Sequence, residues 1–405
     1  MTAPRPDSST TAPQAADEPR GAYFYMDAMR ALFALLVAFG HGWALIIRDY
    51  RPPASLPVEA AYYLAGFGHQ AVVLFFVLSG FWISRSVVRQ AARGWSWRSY
   101  LTDRLTRLMP VLLGALAVGA LLDLIAVHLL HSPTHLGLTD TYVLRIDIAK
   151  HLTWDVLLAN LAFLQVIAPT FGTNGPLWSL SYEFWFYLWF PALWLALRHR
   201  RWSIALLALA LGWIEPKLAL AFASWLCGAA VSGIATWLKS RPAPSRRLCI
   251  ALALTAAAAL LVTLADERFV ENTWEDPALA LVFSVFLLSL ILLDPPPLAW
   301  LRPIASYGAR ASFSFYATHF PVMAFACALM LCSARLTPDA HGLTLVALVL
   351  LLSIGFAWIF AAQTEGRTAA LRNWLDRLGK PRLEPAGSKL VGATGFEPAT
   401  PTPPV

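Results

Sequence analysis

Residues 28–47 read AMRALFALLVAFGHGWALII. At about 1.5 Å per residue this run makes a helix about 30 Å long, the thickness of a bilayer's hydrocarbon core. Arg30 and His41 are the ionisable residues that interrupt it, so the run reads as a transmembrane helix carrying two polar groups. Comparable apolar runs recur near 70–89, 110–130, 176–197, 202–214, 217–238, 248–265, 277–293, 308–333 and 342–362, the run at 202–214 being short and ended by Pro216. The pattern predicts an all-α integral membrane protein of about ten transmembrane helices in a single bundle. Residues 154–168 are apolar but too few to span, and suit a re-entrant or interfacial helix. Composition agrees. Of 405 residues 58% are apolar and 14% charged, against roughly 45–50% and about 25% in soluble domains. That excludes a disordered chain, a coiled coil or a nucleic-acid-binding domain, and no nucleic-acid partner is expected.

The net charge of +7 then becomes a record of topology. With the N-terminus placed in the cytoplasm and ten helices alternating, the inside segments hold 24 Lys and Arg and the outside loops hold 7. This bias follows the positive-inside rule and puts both termini in the cytoplasm. An eleventh span at 154–168 would reverse every later loop and place its basic residues outside. The expected divisions are a disordered N-terminal tail over 1–22, a membrane domain over 23–365 and a cytoplasmic tail over 366–405. Loop 131–175 is outward-facing and reads as solvated; its histidines and aspartates match no tight metal-ligand spacing. The four cysteines form no CxxC pair and read as small buried hydrophobes. Residues 383–405 are rich in Pro, Gly and Thr and read as disordered; the run Gly392–Pro398 resembles a translated antisense transfer-RNA end, so no function is assigned there.

Ionisable side chains inside a span are costly and are functional candidates by default. His41 lies eleven residues beyond Arg30, about 16 Å along the axis, and reads either as functional or as an interhelical packing histidine. Glu183 sits in the aromatic run Trp178-Ser-Leu-Ser-Tyr-Glu183-Phe-Trp-Phe-Tyr187. From opposite helix directions, His41 and Glu183 fall at matched depth below the outer surface, where carboxylate and imidazole could pair. Arg104 and Arg107 share one helix face at the cytoplasmic start of the third span. Anchoring to headgroups explains them, and phosphate capture by guanidinium forks would use the same chemistry. His319, just before Pro321, lies near the middle of a long span. No Walker loop, GxSxG elbow or HExxH is present.

In this order and spacing the residues resemble the acyltransferase 3 family of multi-pass membrane O-acyltransferases, over about residues 23–365. The landmarks are Arg30 and His41 with ten residues between them; Phe75-Phe-Val-Leu-Ser-Gly80; Arg104-x-x-Arg107-x-x-Pro110; Trp178-Ser-Leu-Ser-Tyr-Glu183 with Phe186-Tyr187; Ser312-Phe-Ser-Phe-Tyr-Ala-Thr-His319-Phe-Pro321; and a closing Glu365. Small departures occur: Ala71 follows Gly68 where the family has a second Gly, Phe184 stands where a second Glu is common, and Gly366 replaces a Pro. The resemblance implies transfer of an acyl group, commonly acetyl from acetyl-CoA, to a hydroxyl of a carbohydrate, glycolipid or related envelope acceptor at the bacterial inner membrane. Acyl-CoA is then the donor substrate, with no permanently bound cofactor and no metal. On this reading His41 is the base, or transiently carries the acyl group, and Glu183 orients it. Arg30, Arg104 and Arg107 hold the donor phosphates, and Phe75, Phe76, Ser79, Gly80, Trp178, Ser181, Tyr187 and His319 shape the substrate passage. A transporter or flippase for a glycolipid or small solute would also carry intramembrane charges. It would not require a cytoplasmic arginine pair tied to a deep histidine, and no inverted repeat is visible.

The topology yields a test. Reporter cysteines in 239–247 and in 131–175 should be labelled by a membrane-impermeant reagent from opposite sides of the membrane. Labelling from one side would overturn the alternation.

Overall fold

The computed structural model describes residues 20–378 apart from 201, 204–205, 207–212, 267–274 and 331–333. The expected span at 202–214, most of the N-terminal tail and residues 383–405 therefore lie largely or wholly outside the described residues. What is described is helical, with one isolated backbone bridge, Ile47 to Leu336.

The helices are α1 (Arg20–Ile46), α2 (Leu56–Ala65), α3 (Gly68–Ala92), α4 (Trp97–His128), α5 (Trp154–Leu161), α6 (Trp178–His199), α7 (Pro216–Leu238), α8 (Arg246–Asp266), α9 (Glu275–Leu293), α10 (Ala309–Met330), α11 (Ala340–Gln363) and α12 (Thr368–Leu378). Among the described residues eight helices are long and apolar enough to cross a membrane. The 22-residue α6 is long enough but is not one of the eight. α1 starts eight residues before the apolar run, because the aromatic segment 20–27 continues the helix. The stretch 154–168 yields only the eight-residue α5, which is too short to span. The tail predicted from 366 onward begins with α12, whose Arg372 pairs with Asp103 of α4 at 3.0 Å.

Local chemistry sets the boundaries. Glu215 caps α7 by accepting from Lys217 N (3.1 Å), with Pro216 at the first helical position. Asp339 caps α11 by accepting from Gly342 N (2.9 Å). α8 has only Cys249 and Ala256 buried, so nearly its whole surface is left for lipid.

The core is a helix bundle in which α3 is central. α3 and α7 cross with Gly80 and Gly228 at the contact. A Cβ on Gly80 would overlap the Trp225 carbonyl, and one on Gly228 would overlap the Val77 carbonyl. Small residues let membrane helices approach to backbone distance, where dispersion replaces the absent hydrophobic drive. Beside the crossing, Phe186, Phe222, Trp225 and Trp189 interlock their rings.

Loop 131–175 departs from the solvated reading. Ser132, His135, Thr141, Asn160 and Asn174 are fully or almost fully buried. Asp123, near the end of α4, accepts from Thr173 N and Thr173 Oγ1 (2.7 Å each), and His135 Nε2 stands 3.4 Å from its carboxylate. Arg335 clamps the same end by donating to Ile47 O (3.2 Å), Asp49 Oδ1 (2.8 Å) and Asp140 O (2.9 Å). That donation holds the Asp49 carboxyl below its ordinary range. The loop is thus a folded cap, because its backbone turns bury polar groups that α4 and Arg335 satisfy.

A Gly228→Ala protein should show a melting temperature in detergent several degrees lower, since overpacking typically costs about 1–3 kcal/mol. An unchanged melting temperature would show that α3 and α7 are not held in backbone contact.

Candidate active site

A cavity of about 390 Å³ opens between α1, α3, α4, α6 and α10. Its polar lining is Asp27, Arg30, Ser79, Arg107, Glu183 and Tyr187, together with Ser179, Ser312 and Tyr316. Phe75 and Phe76 supply apolar wall. The volume lies within the roughly 300–1,000 Å³ of small-molecule sites.

Apart from Arg107, these polar groups are held by specific partners. Arg30 lies 3.6 Å from Asp27, one turn earlier on α1, and its other charged neighbours are Arg107, Glu183 and Glu365. Arg107 is exposed into this space and makes no hydrogen bond or ion pair among the described residues. Glu183 accepts from Ser79 Oγ (2.8 Å) and from Tyr187 Oη (2.5 Å). Trp225 Nε1 donates to Ser79 Oγ (3.2 Å), which fixes the serine hydroxyl toward the carboxylate. Glu365 accepts from Ser314 N (2.9 Å) and Ser314 Oγ (2.6 Å), locking the start of α10 against the end of α11.

His41 and His319 form the second part of the site. His41 Nδ1 lies 2.8 Å from His319 Nε2, with the ring planes 8° from parallel and the centroids 5.1 Å apart, an edge-to-edge arrangement. His319 is fully buried, whereas His41 is partly exposed. A layer of rings connects the pair to the cavity. Tyr316 lines the cavity and touches His319 at 5.8 Å between centroids; Phe75 meets Tyr316 at 6.0 Å and Phe33 at 5.7 Å. The Tyr316 hydroxyl, 2.7 Å from Ser179 Oγ, ties this layer to α6.

The sequence-derived candidates fall into three groups. Arg30, Phe75, Phe76, Ser79, Arg107, Glu183 and Tyr187 meet at the cavity. His41 and His319 meet each other just behind its wall. The rest stand apart. Arg104 donates to Ser86 Oγ (2.5 Å) and lies over the rings of Tyr100 (5.2 Å) and Tyr187 (5.7 Å), so it braces the wall from outside. Gly80 packs against α7. Ser181 donates to Phe163 O (2.5 Å) and so ties α6 to the cap formed by 131–175, while Trp178 packs on Phe76 and Tyr182.

One expectation is corrected outright. His41 and Glu183 do not pair, because α10 carries His319 into the position beside His41 while α3 supplies Ser79 to Glu183. Matched depth was a necessary condition, and adjacency was decided by which helices touch. Two acids were missed. Asp27 sits one residue before the apolar run, yet its i,i+3 spacing from Arg30 was the available signal. Asp123 is a carboxylate inside a predicted span and met the same criterion that singled out His41. Among the described residues no three His, Cys, Asp or Glu converge as a metal site.

The fold and this arrangement define a multi-pass membrane protein with a charged cavity and a histidine pair beyond one of its walls. Residues 23–362 match the acyltransferase domain of the acyltransferase 3 family. The chain belongs to that family and is thereby a membrane acyltransferase. Searches of curated proteins and of solved structures return no match.

Glu183→Gln keeps an acceptor for Ser79 and Tyr187 but removes the negative charge beside Arg30. The protein should insert and melt within a few degrees of wild type, while acyl transfer falls at least about tenfold, as for loss of an interaction with a charged group worth about 1.5–3 kcal/mol. Unchanged transfer would confine Glu183 to packing.

Proposed function

We propose that the protein transfers acetyl from acetyl-CoA to a hydroxyl of a carbohydrate, glycolipid or related cell-envelope acceptor in the bacterial inner membrane. The observation that carries this reading is the placement of Arg30 and Arg107 in one cavity, a single ring layer away from the His41–His319 pair.

Donor phosphates are anions, and two guanidiniums facing one space form charge-assisted hydrogen bonds with them. Arg107 is the freer of the two; Arg30 already shares its charge with Asp27. The apolar wall of Phe75 and Phe76 suits the pantetheine arm, which would carry the thioester toward Tyr316 and the imidazoles. Arg104, stacked on Tyr187, serves this site by stiffening its wall.

At the imidazoles His41 acts as general base. The acceptor hydroxyl gives its proton to His41, its oxygen bonds to the thioester carbonyl carbon, and the carbon–sulfur bond breaks. The departing thiolate then takes the proton from His41, so the protein ends as it began. Glu183 is the counter-charge of the arginines and holds Ser79 and Tyr187 in the cavity wall. The folded outer cap over 131–175, anchored by Asp123 and Arg335, is the surface that would meet an acceptor.

Purified protein should bind acetyl-CoA, and Arg107→Ala and Arg30→Ala should each weaken binding about tenfold or more, with calorimetry as the measurement. Comparative mass spectrometry of envelope glycans and lipids, with and without the gene, should show the loss of one acetyl group from one component. Wild-type affinity in both arginine variants, or no acetyl difference, would overturn the assignment of donor or acceptor.

A further inference from the structure

The histidine pair allows its protons to be placed. His319 Nδ1 lies 2.8 Å from the Tyr316 carbonyl and 3.2 Å from the Phe315 carbonyl. Carbonyl oxygens only accept, so a lone pair on this nitrogen would face two other lone pairs; Nδ1 must carry the hydrogen. In a neutral imidazole the other nitrogen is then an acceptor. That nitrogen, Nε2, is the one 2.8 Å from His41 Nδ1. His41 must therefore donate from Nδ1, and its own lone pair is left on Nε2. Ring orientation is not arbitrary either. Turning His319 over would put carbon against both the carbonyls and His41, and turning His41 over would put carbon against His319.

We infer that His319 is a positioning residue which, through this relay, fixes His41 as the Nδ1–H tautomer with its basic lone pair on Nε2. The inference rests on the reading of His41 as general base. Nε2 makes no hydrogen bond among the described residues, and His41 is partly exposed, so the lone pair is available to an incoming hydroxyl. The relay also suits the charged state. When Nε2 takes the acceptor's proton, Nδ1–H still donates to His319 Nε2, so no hydrogen bond has to be remade during the step. Its role is that of the carboxylate in a hydrolytic triad, here filled by a neutral imidazole whose far side is anchored by helix carbonyls. The carbonyls come from the turn of α10 that also presents Tyr316 to the cavity. The same helix turn thus sets both the cavity wall and the base.

Three variants separate the relay from simple packing. In His319→Asn the side chain still donates to the carbonyls but no longer reaches His41 as an acceptor. In His319→Gln the amide oxygen reaches His41 Nδ1 and restores the acceptor. His41→Ala removes the base. With purified protein and acetyl-CoA, His319→Asn should lower kcat on the order of 10²-fold or more, the range of general-base contributions. The acetyl-CoA KM should stay near wild type, because Arg30 and Arg107 lie in the cavity. His319→Gln should recover to within about tenfold of wild type, and adding His319→Asn to His41→Ala should cause no further loss. Near-normal kcat in His319→Asn with an inactive His41→Ala overturns the relay and leaves His41 as the base. Near-normal turnover in His41→Ala overturns both. Equal inactivity of the Asn and Gln variants, each still binding acetyl-CoA, also overturns the relay. A measurement on the unaltered sequence stands beside these. In ¹⁵N-histidine spectra of the membrane-embedded protein, assigned by the signals lost in His41→Gln, His41 should show a protonated Nδ1 and an unprotonated Nε2; the reverse pattern overturns the inference.

Discussion

A polar group removed from water inside a bilayer must find its hydrogen bond within the protein, and this constraint organises the molecule. An unsatisfied buried donor or acceptor costs about 1–3 kcal/mol, and a charged one more. Three of the buried or half-buried polar side chains accordingly come with a partner from another segment of the bundle. His41 of α1 meets His319 of α10, Glu183 of α6 meets Ser79 of α3, and Glu365 meets Ser314 at the start of α10. Lipid-facing α8, with almost nothing polar between its ends, shows the other solution: it needs no partner and is bound by dispersion alone.

These pairings do double work. Because each joins two helices, the bonds that satisfy the site also fix its geometry. Ser79 is a wall of the cavity, an anchor for Glu183 and an acceptor for Trp225 of α7. The close crossing at Gly80 and Gly228 makes that three-way contact reachable. Catalytic groups need supports that are themselves locked, and here the supports are the helix contacts of the bundle.

Much of this was legible in the sequence. Apolar runs and charge asymmetry announced a helical membrane bundle, and ionisable residues within the runs picked out Arg30, His41, Glu183 and His319. What one-dimensional reading misses is adjacency. Depth along an axis follows from counting residues, whereas lateral neighbours depend on packing between segments nearly three hundred positions apart, as His41 and His319 are. Asp123 and the buried loop polar groups escaped for a related reason. A loop rich in Asp, Thr and Asn looks solvated until the partners that bury it are known. Gly80 and Arg104 carry motif positions yet face away from the cavity, because a motif records which residues occur together and not which way they point.

Several partners of the first helix and of the residue that follows it come late in the chain. Ala22 N donates to Asp294, His41 meets His319, and the Arg335 guanidinium reaches Ile47 O. Since a chain is synthesised from its N-terminus, α1 enters the membrane long before any of these partners exists. During that interval Arg30 has Asp27 of its own helix, whereas His41 has only lipid, the insertion machinery and nearby helices for company. The order of manufacture is thus the reverse of the order of satisfaction. A chain interrupted before α10 would carry a first helix whose His41 has yet to meet its partner imidazole.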